Sequence, residues 1–181
     1  FDARLNTADT PWFRDGAEIA RRATEAGAAG VLCAAGDPTN AQTIAALPDS
    51  VKIVTTFSVG VDHIALDAAK ARGIAVTHTP EVLSFATAEC AFTLMLMAAR
   101  RAGEGERMVR AGQWEGWAPT QLMGVTLQGK TLGVLGFGRI GRELADMARG
   151  MQMRIHYHDV QRLSAEAEKG AVFHASEDGF L

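Results

Sequence analysis

The run Thr131-Leu132-Gly133-Val134-Leu135-Gly136-Phe137-Gly138-Arg139-Ile140-Gly141 constrains the chain more than any other, because it joins an apolar strand to a helix start through three spaced glycines. Each glycine answers a need for a missing Cβ. Gly136 lets the chain turn sharply after the strand, Gly138 lets backbone approach a pyrophosphate, and Gly141 lets the new helix press against the sheet. A helix over about 139–148 presents its free N–H groups and positive dipole end to the phosphates.

With 19 glycines in 181 residues, a bare G-x-G-x-x-G arises easily by chance, so its context decides. The alternating run from Met153 to His158 reads as a second strand and ends at Asp159, 18 positions after Gly141, close to the ~20 that a dinucleotide fold calls for. An acid there accepts hydrogen bonds from both ribose hydroxyls and repels the extra phosphate of NADP, which favours NAD. Arg162 pulls the other way, since a nearby guanidinium can neutralise a phosphate. The plain alternative is a strand–helix turn that only needs glycine.

A hydrophobic content of 48%, a charged content of 22% and 5 prolines describe a globular chain with enough length for one large or two small domains. The net charge of −3 and the interspersed basic residues argue against a nucleic-acid or membrane surface, which leaves small molecules as the favoured partners. Cys33 and Cys90 lie in apolar surroundings without C-x-x-C spacing, as expected of buried thiols in a reducing, cytoplasmic compartment. No metal site is expected. The apolar run Ala91 to Ala99 stops at Arg100-Arg101, short of the ~20 residues that cross a bilayer. The chain opens at Phe1 with no initiator Met and no leader, so residues are expected before it.

In chain order, the pattern predicts a strand at 2–5, an amphipathic helix at 16–26 with Ile19, Ala20 and Ala23 inward, and a strand at 30–33. A helix from Asp37-Pro38-Thr39 to Leu47, a strand at 52–57, a helix at 67–72 and a strand at 74–77 follow. Such alternation favours a parallel sheet with ligands at the carboxyl ends of its strands. Ser58-Val59-Gly60-Val61-Asp62-His63 is one such end. Its successive N–H groups suit a carboxylate, and an ordinary strand–helix connection is the alternative. His78-Thr79-Pro80 marks a domain boundary near 79, after which Ser84 caps a long helix to Arg101. That helix is apolar nearly all round, which calls either for a subunit interface or for burial in one domain. A polar helix at 104–111, a loop with Trp114 and Trp117, a helix at 164–169 and a strand at 171–173 complete the pattern. The tryptophans contact a partner or substrate, or simply pack on the domain. Three strands of a doubly wound fold can be placed in this second part, where about six make up the whole.

Taken together, Thr56 to His63, Thr79-Pro80-Glu81-Val82-Leu83 with Ala86-Thr87-Ala88-Glu89, Gly112-Gln113-Trp114 with Trp117-Ala118-Pro119, and Gly136 to Gly141 give a chain that resembles the D-isomer-specific 2-hydroxyacid dehydrogenases, nearest their glyoxylate/hydroxypyruvate reductase branch. The resemblance implies an α/β fold in which residues 1–79 are part of a flavodoxin-like substrate domain. Residues 80–181 are then the first half of an inserted Rossmann domain, with 84–101 as the dimer helix of a homodimer. It further implies that the N–H groups of Val59 and Gly60 hold the substrate carboxylate and that Trp117 reaches the neighbouring subunit's active site. Thr87 lies beside the cofactor, Gly138, Arg139 and Ile140 cradle the pyrophosphate, and Asp159 takes the ribose. The implied reaction is hydride transfer from NAD(P)H, NADH favoured, to a small 2-oxo acid such as glyoxylate or hydroxypyruvate. A cofactor-sensing corepressor of the same fold is the alternative. The family's catalytic arginine, acid and histidine match no position here and are expected after Leu181, so the 181-residue polypeptide alone is expected to be inactive. His156 and His158 are read as solvent-facing or cofactor-edge residues, and His63 as a helix-start residue.

Overall fold

A computed structural model describes residues 15–177 and 179–180, and the strand expected at 2–5 lies outside them. The chain divides into two units that meet between Val82 and Leu83.

In the first unit, the Asp15 side chain accepts the Ala17 N–H at 2.9 Å and starts α1, Gly16–Glu25. Its inward residues are Ile19, Ala20 and Ala23, as the 3.6-residue period requires. Then come β1 (Gly30–Cys33), α2 (Ala41–Ala46), β2 (Ile53–Thr56), α3 (Leu66–Ala71) and β3 (Ala75–Thr77). The strands pair in parallel in the order β1-β2-β3, with Val31 opposite Val54 and Val54 opposite Val76. Ile19, Ile44, Val54, Ala69 and Ile74 share the buried core. The second helix starts later than the Asp37-Pro38 signal predicts. Asn40 is its cap, accepting the Thr43 N–H at 3.0 Å, while the Asp37 carboxylate closes the preceding turn by accepting the Ala34 N–H at 2.7 Å.

The second unit holds α4 (Ser84–Ala99), α5 (Ala102–Arg110), β4 (Thr131–Leu135), α6 (Arg139–Gly150), β5 (Arg154–His158), α7 (Ala165–Glu168) and β6 (Val172–His174). The parallel order is β4-β5-β6, and Leu135 stands opposite His158. Val134, Ala145, Ala148, Ile155 and Tyr157 are buried between this sheet and α6. Two expectations about the long helix are corrected. Ser84 is its first helical residue rather than its cap, since Leu83 occupies the cap position without a side-chain bond. The helix also stops at Ala99 instead of Arg101: the Ala99 carbonyl is taken by the Val125 N–H at 2.7 Å, and Arg101 adopts a left-handed φ of 53° before α5 begins. Ala88 is buried and Phe92 and Met95 pack on the core, whereas Phe85, Leu94 and Met97 are exposed. Cys33 is buried as expected, but Cys90, on the uncovered part of α4, is exposed. No helix among the described residues is long and apolar enough to cross a membrane.

Candidate cofactor and carboxylate sites

The parallel pairing of β4 with β5 brings the glycine turn beside the end of β5. The Gly136 N–H donates to the His158 carbonyl at 2.8 Å, and the next N–H, that of Phe137, donates to Asp159 Oδ2 at 2.6 Å. Asp159 Oδ1 accepts the Val160 N–H at 2.7 Å, so both carboxylate oxygens are oriented by backbone. The Phe137 ring, 1% exposed, stacks on Tyr157 with centroids 4.2 Å apart and anchors the turn from below.

The glycines differ in why they are needed. Gly136 has a φ of +85°, a region that side chains with a Cβ rarely adopt. A Cβ on Gly141 would stand 2.3 Å from the Gly136 carbonyl oxygen, so the first turn of α6 approaches the loop only because that atom is missing. Nothing lies within 4 Å of a Cβ built on Gly138, which caps α6 with no side-chain bond. Open space over an uncapped helix start, with Arg139 and Ile140 exposed in its first turn, fits the pyrophosphate of a dinucleotide.

Arg162, read from the sequence as a phosphate neutraliser, is engaged elsewhere. Its Nε donates to Glu168 Oε1 at 2.8 Å and its Nη2 to Oε2 at 3.2 Å. Glu168 is buried and also accepts the Tyr157 hydroxyl at 2.8 Å, and that hydroxyl in turn accepts the Leu163 N–H at 3.0 Å. Arg162 first, and then the Tyr157 hydroxyl, hold the Glu168 carboxyl below the ordinary carboxylate range. Burial is the main cause pushing the Tyr157 phenol up. Thr87 lies exposed near the start of α4 and Trp117 is 80% exposed in the loop after α5. Among the described residues, neither is hydrogen-bonded to the glycine turn through its side chain.

In the first unit, three successive carbonyls of the turn after β2 are tied back. Ser58 O accepts from the Thr79 N–H and Thr79 hydroxyl, each at 3.0 Å. Val59 O accepts from His78 Nδ1–H at 2.8 Å, and Gly60 O from the Ser58 hydroxyl at 2.7 Å. A hydroxyl has one proton, which sets the direction of the remaining bonds. Ser58 gives its proton to Gly60, so Thr56 donates to Ser58 at 2.7 Å, and His63 Nε2–H donates to Thr56 at 2.9 Å. No acceptor among the described residues takes the N–H groups of Val59 and Gly60. His78, to which the sequence assigned no role, thus braces the turn, and His63 does so instead of starting a helix.

His156 and His158 are half-buried rather than solvent-facing. His156 Nδ1 lies 3.0 Å from His174 Nε2, and His158 Nδ1–H donates to the His174 carbonyl at 2.8 Å. No group of three His, Cys, Asp or Glu among the described residues could hold a metal ion.

The family described as D-isomer specific 2-hydroxyacid dehydrogenase, NAD binding domain, matches residues 92–179, the stretch that contains the glycine turn and Asp159. A glycerate dehydrogenase from Hyphomicrobium methylovorum is 50% identical over 137 residues, covering 75% of this chain and 42% of that protein. A glyoxylate reductase from Thermococcus litoralis is 46% identical over 128 residues, covering 68% of this chain and 39% of its own length. A solved structure from Polaromonas sp. JS6 66, assigned to the D-isomer specific 2-hydroxyacid dehydrogenases with NAD binding, superposes with a TM-score of 0.90 at 46% identity, over 100% of this chain and 56% of that one. The chain therefore spans about two fifths of the length of the two curated relatives. With the glycine turn, the acid at the end of β5 and these likenesses in agreement, the chain belongs to the D-isomer-specific 2-hydroxyacid dehydrogenase family, alongside its glyoxylate reductase and glycerate dehydrogenase members.

Proposed function

We propose that this chain supplies cofactor and carboxylate binding to an oxidoreductase that reduces a small 2-oxo acid, glyoxylate or hydroxypyruvate in type, to the D-2-hydroxy acid. The observation that carries the reading is the uncapped start of α6 beneath Gly138, set beside Asp159 by the 2.6 Å bond from the Phe137 N–H. Gly136, Gly138, Arg139, Ile140 and Gly141 hold the pyrophosphate, Asp159 the adenosine ribose, and Thr87 lies alongside the cofactor. NAD is favoured over NADP because the Asp159 carboxylate repels a 2′-phosphate. The chemistry that a bound NADH supplies is a hydride for the substrate's carbonyl carbon. The N–H groups of Val59 and Gly60 bind and orient the substrate carboxylate, as the tying back of their carbonyls supports.

Proton donation is assigned to none of the five histidines, because none of them falls at the position that the family's proton-donating histidine occupies in the motif order. By the same family pattern, the arginine, acid and histidine of the reaction are expected after Leu181. The exposed apolar part of α4 supports a homodimer, with Trp117 reaching toward the neighbouring subunit, and the two free thiols support a cytoplasmic setting. Residues 1–79 form the substrate part and 80–181 the dinucleotide part. No observation favours the corepressor alternative.

Titration of the protein with NADH, followed by fluorescence, tests the reading: saturable binding that NADPH matches only at higher concentration is expected, and absence of NADH binding overturns it. Glyoxylate-dependent NADH oxidation by the 181-residue polypeptide is expected to stay at background, and turnover by it would show that an acid–base group has been missed within these residues.

A further inference from the structure

Resting on the proposed dinucleotide site, we infer that Glu168 is a specificity-determining residue, which keeps Arg162 away from a 2′-phosphate by holding its guanidinium in an internal ion pair. Arg162 lies three positions beyond Asp159, on the segment where a 2′-phosphate would sit if one were bound, and its side chain is 65% exposed. By position and charge it is a phosphate ligand. Yet its Nε and Nη2 are both committed to the carboxylate of Glu168, at 2.8 and 3.2 Å.

The Glu168 side chain is 6% exposed and cannot follow the guanidinium outward. It is fixed from the other side by the Tyr157 hydroxyl at 2.8 Å, and Tyr157 is itself fully buried against Phe137. The same hydroxyl accepts the Leu163 N–H at 3.0 Å, which pins the segment next to Arg162. The backbone of Glu168 adds a further tie, accepting Arg149 Nη2 at 2.8 Å. The clamp is therefore rooted in the core and reaches out to one surface cation. Moving Arg162 to a phosphate would leave a buried carboxylate without its charged partner, a cost that falls on NADPH and not on NADH. Discrimination then has two parts, repulsion by Asp159 and withdrawal of a cation on the same segment that could offset it.

The variant E168Q keeps the volume and one acceptor but drops the charge, so the guanidinium loses its ion-pair partner and its bidentate carboxylate. NADH and NADPH affinities are measured by fluorescence titration on wild type, E168Q, R162Q and the double variant R162Q/E168Q, with circular dichroism to show that each is folded. In E168Q we expect NADPH binding to tighten by about tenfold with NADH binding unchanged, and the gain to vanish in the double variant. In R162Q, whose glutamine can still donate to Glu168, NADPH affinity is expected to match wild type. That arm decides the matter even if E168Q does not fold, since a weakening in R162Q means that Arg162 already reaches the phosphate and overturns the proposal. An unchanged NADPH to NADH ratio in folded E168Q also overturns it, as does a gain that persists in the double variant. If wild type binds NADH while the ratio never moves, this inference fails and the proposed function stands. If wild type binds neither dinucleotide, both fail.

Discussion

Gly141 and His78 act at the scale of a few ångströms, one through an atom it lacks and the other through a bond it makes. Adding a Cβ at Gly141 places it 2.3 Å from the Gly136 oxygen and 3.2 Å from Val134 Cγ1, and the first of these is backbone that cannot swing away. G141A is therefore expected to destabilise the protein by about 1–3 kcal/mol and to weaken NADH binding, because the helix start must retreat from the loop. Urea denaturation and NADH titration on the same preparation check both, and an unchanged midpoint would mean that the contact relaxes freely. His78 donates to the Val59 carbonyl from an exposed position, without being part of a core. Replacement by alanine should leave stability within about 0.5 kcal/mol while loosening the turn. In an NMR titration with glyoxylate, the amide signals of Val59 and Gly60 should shift in wild type and shift less in H78A. Equal shifts in both proteins would deny His78 its bracing role. The glycine requirements were legible in the sequence because they follow from local backbone geometry. The His78 bond was not, since it joins residues 19 positions apart and exists only after β2 and β3 have paired.

Elements show the same division between local signals and tertiary partners. The alternation of strands and helices is readable because apolar periodicity and glycine stops act within a few residues, and α1 and β1 fall where that pattern puts them. Helix starts were less legible, because Asp37-Pro38 and Asn40 are both good caps, and the choice turns on Asp37 being used for the Ala34 N–H. N40A should cost about 1 kcal/mol, measured by urea denaturation, and a neutral result would move the cap back to the earlier residues. The joining of β5 to α7 through Glu168 was invisible for a different reason. A glutamate among Ala165, Glu166 and Ala167 looks like one more surface acid, and only the seating of Tyr157 beneath it makes it internal. Its titration is testable. Because the folded carboxyl is held below its ordinary value of 4.5, the stabilisation from this group is fully present above that pH and is lost as pH falls through the lowered folded value. Wild type is expected to lose stability on acidification more steeply than E168Q below that pH. Parallel acid profiles for the two proteins would show that the clamp does not respond to protonation.

At the scale of the whole molecule, the decisive surface is α4. A sixteen-residue helix with Phe85, Leu94 and Met97 exposed and only Ala88 buried leaves an apolar area that the described residues of one chain do not cover. Isolated exposed hydrophobics are normal on protein surfaces, but several on one helix mark a place where another surface docks. A second copy of the chain satisfies this with one self-complementary patch, the commonest way for a soluble protein to pair. Leu94, 60% exposed, is the position at which to test it, since a charge there meets water in the single chain and apolar surface in the pair. We expect wild type to sediment as a dimer at micromolar concentration and L94E to sediment as a monomer. In the wild type, the stability lent by pairing grows with protein concentration by mass action. The melting temperature of wild type should therefore rise with concentration while that of L94E stays constant. Should wild type remain monomeric, or L94E pair as tightly, the apolar side of α4 serves some contact other than a homodimer, and the placement of Trp117 toward a neighbouring subunit falls with it.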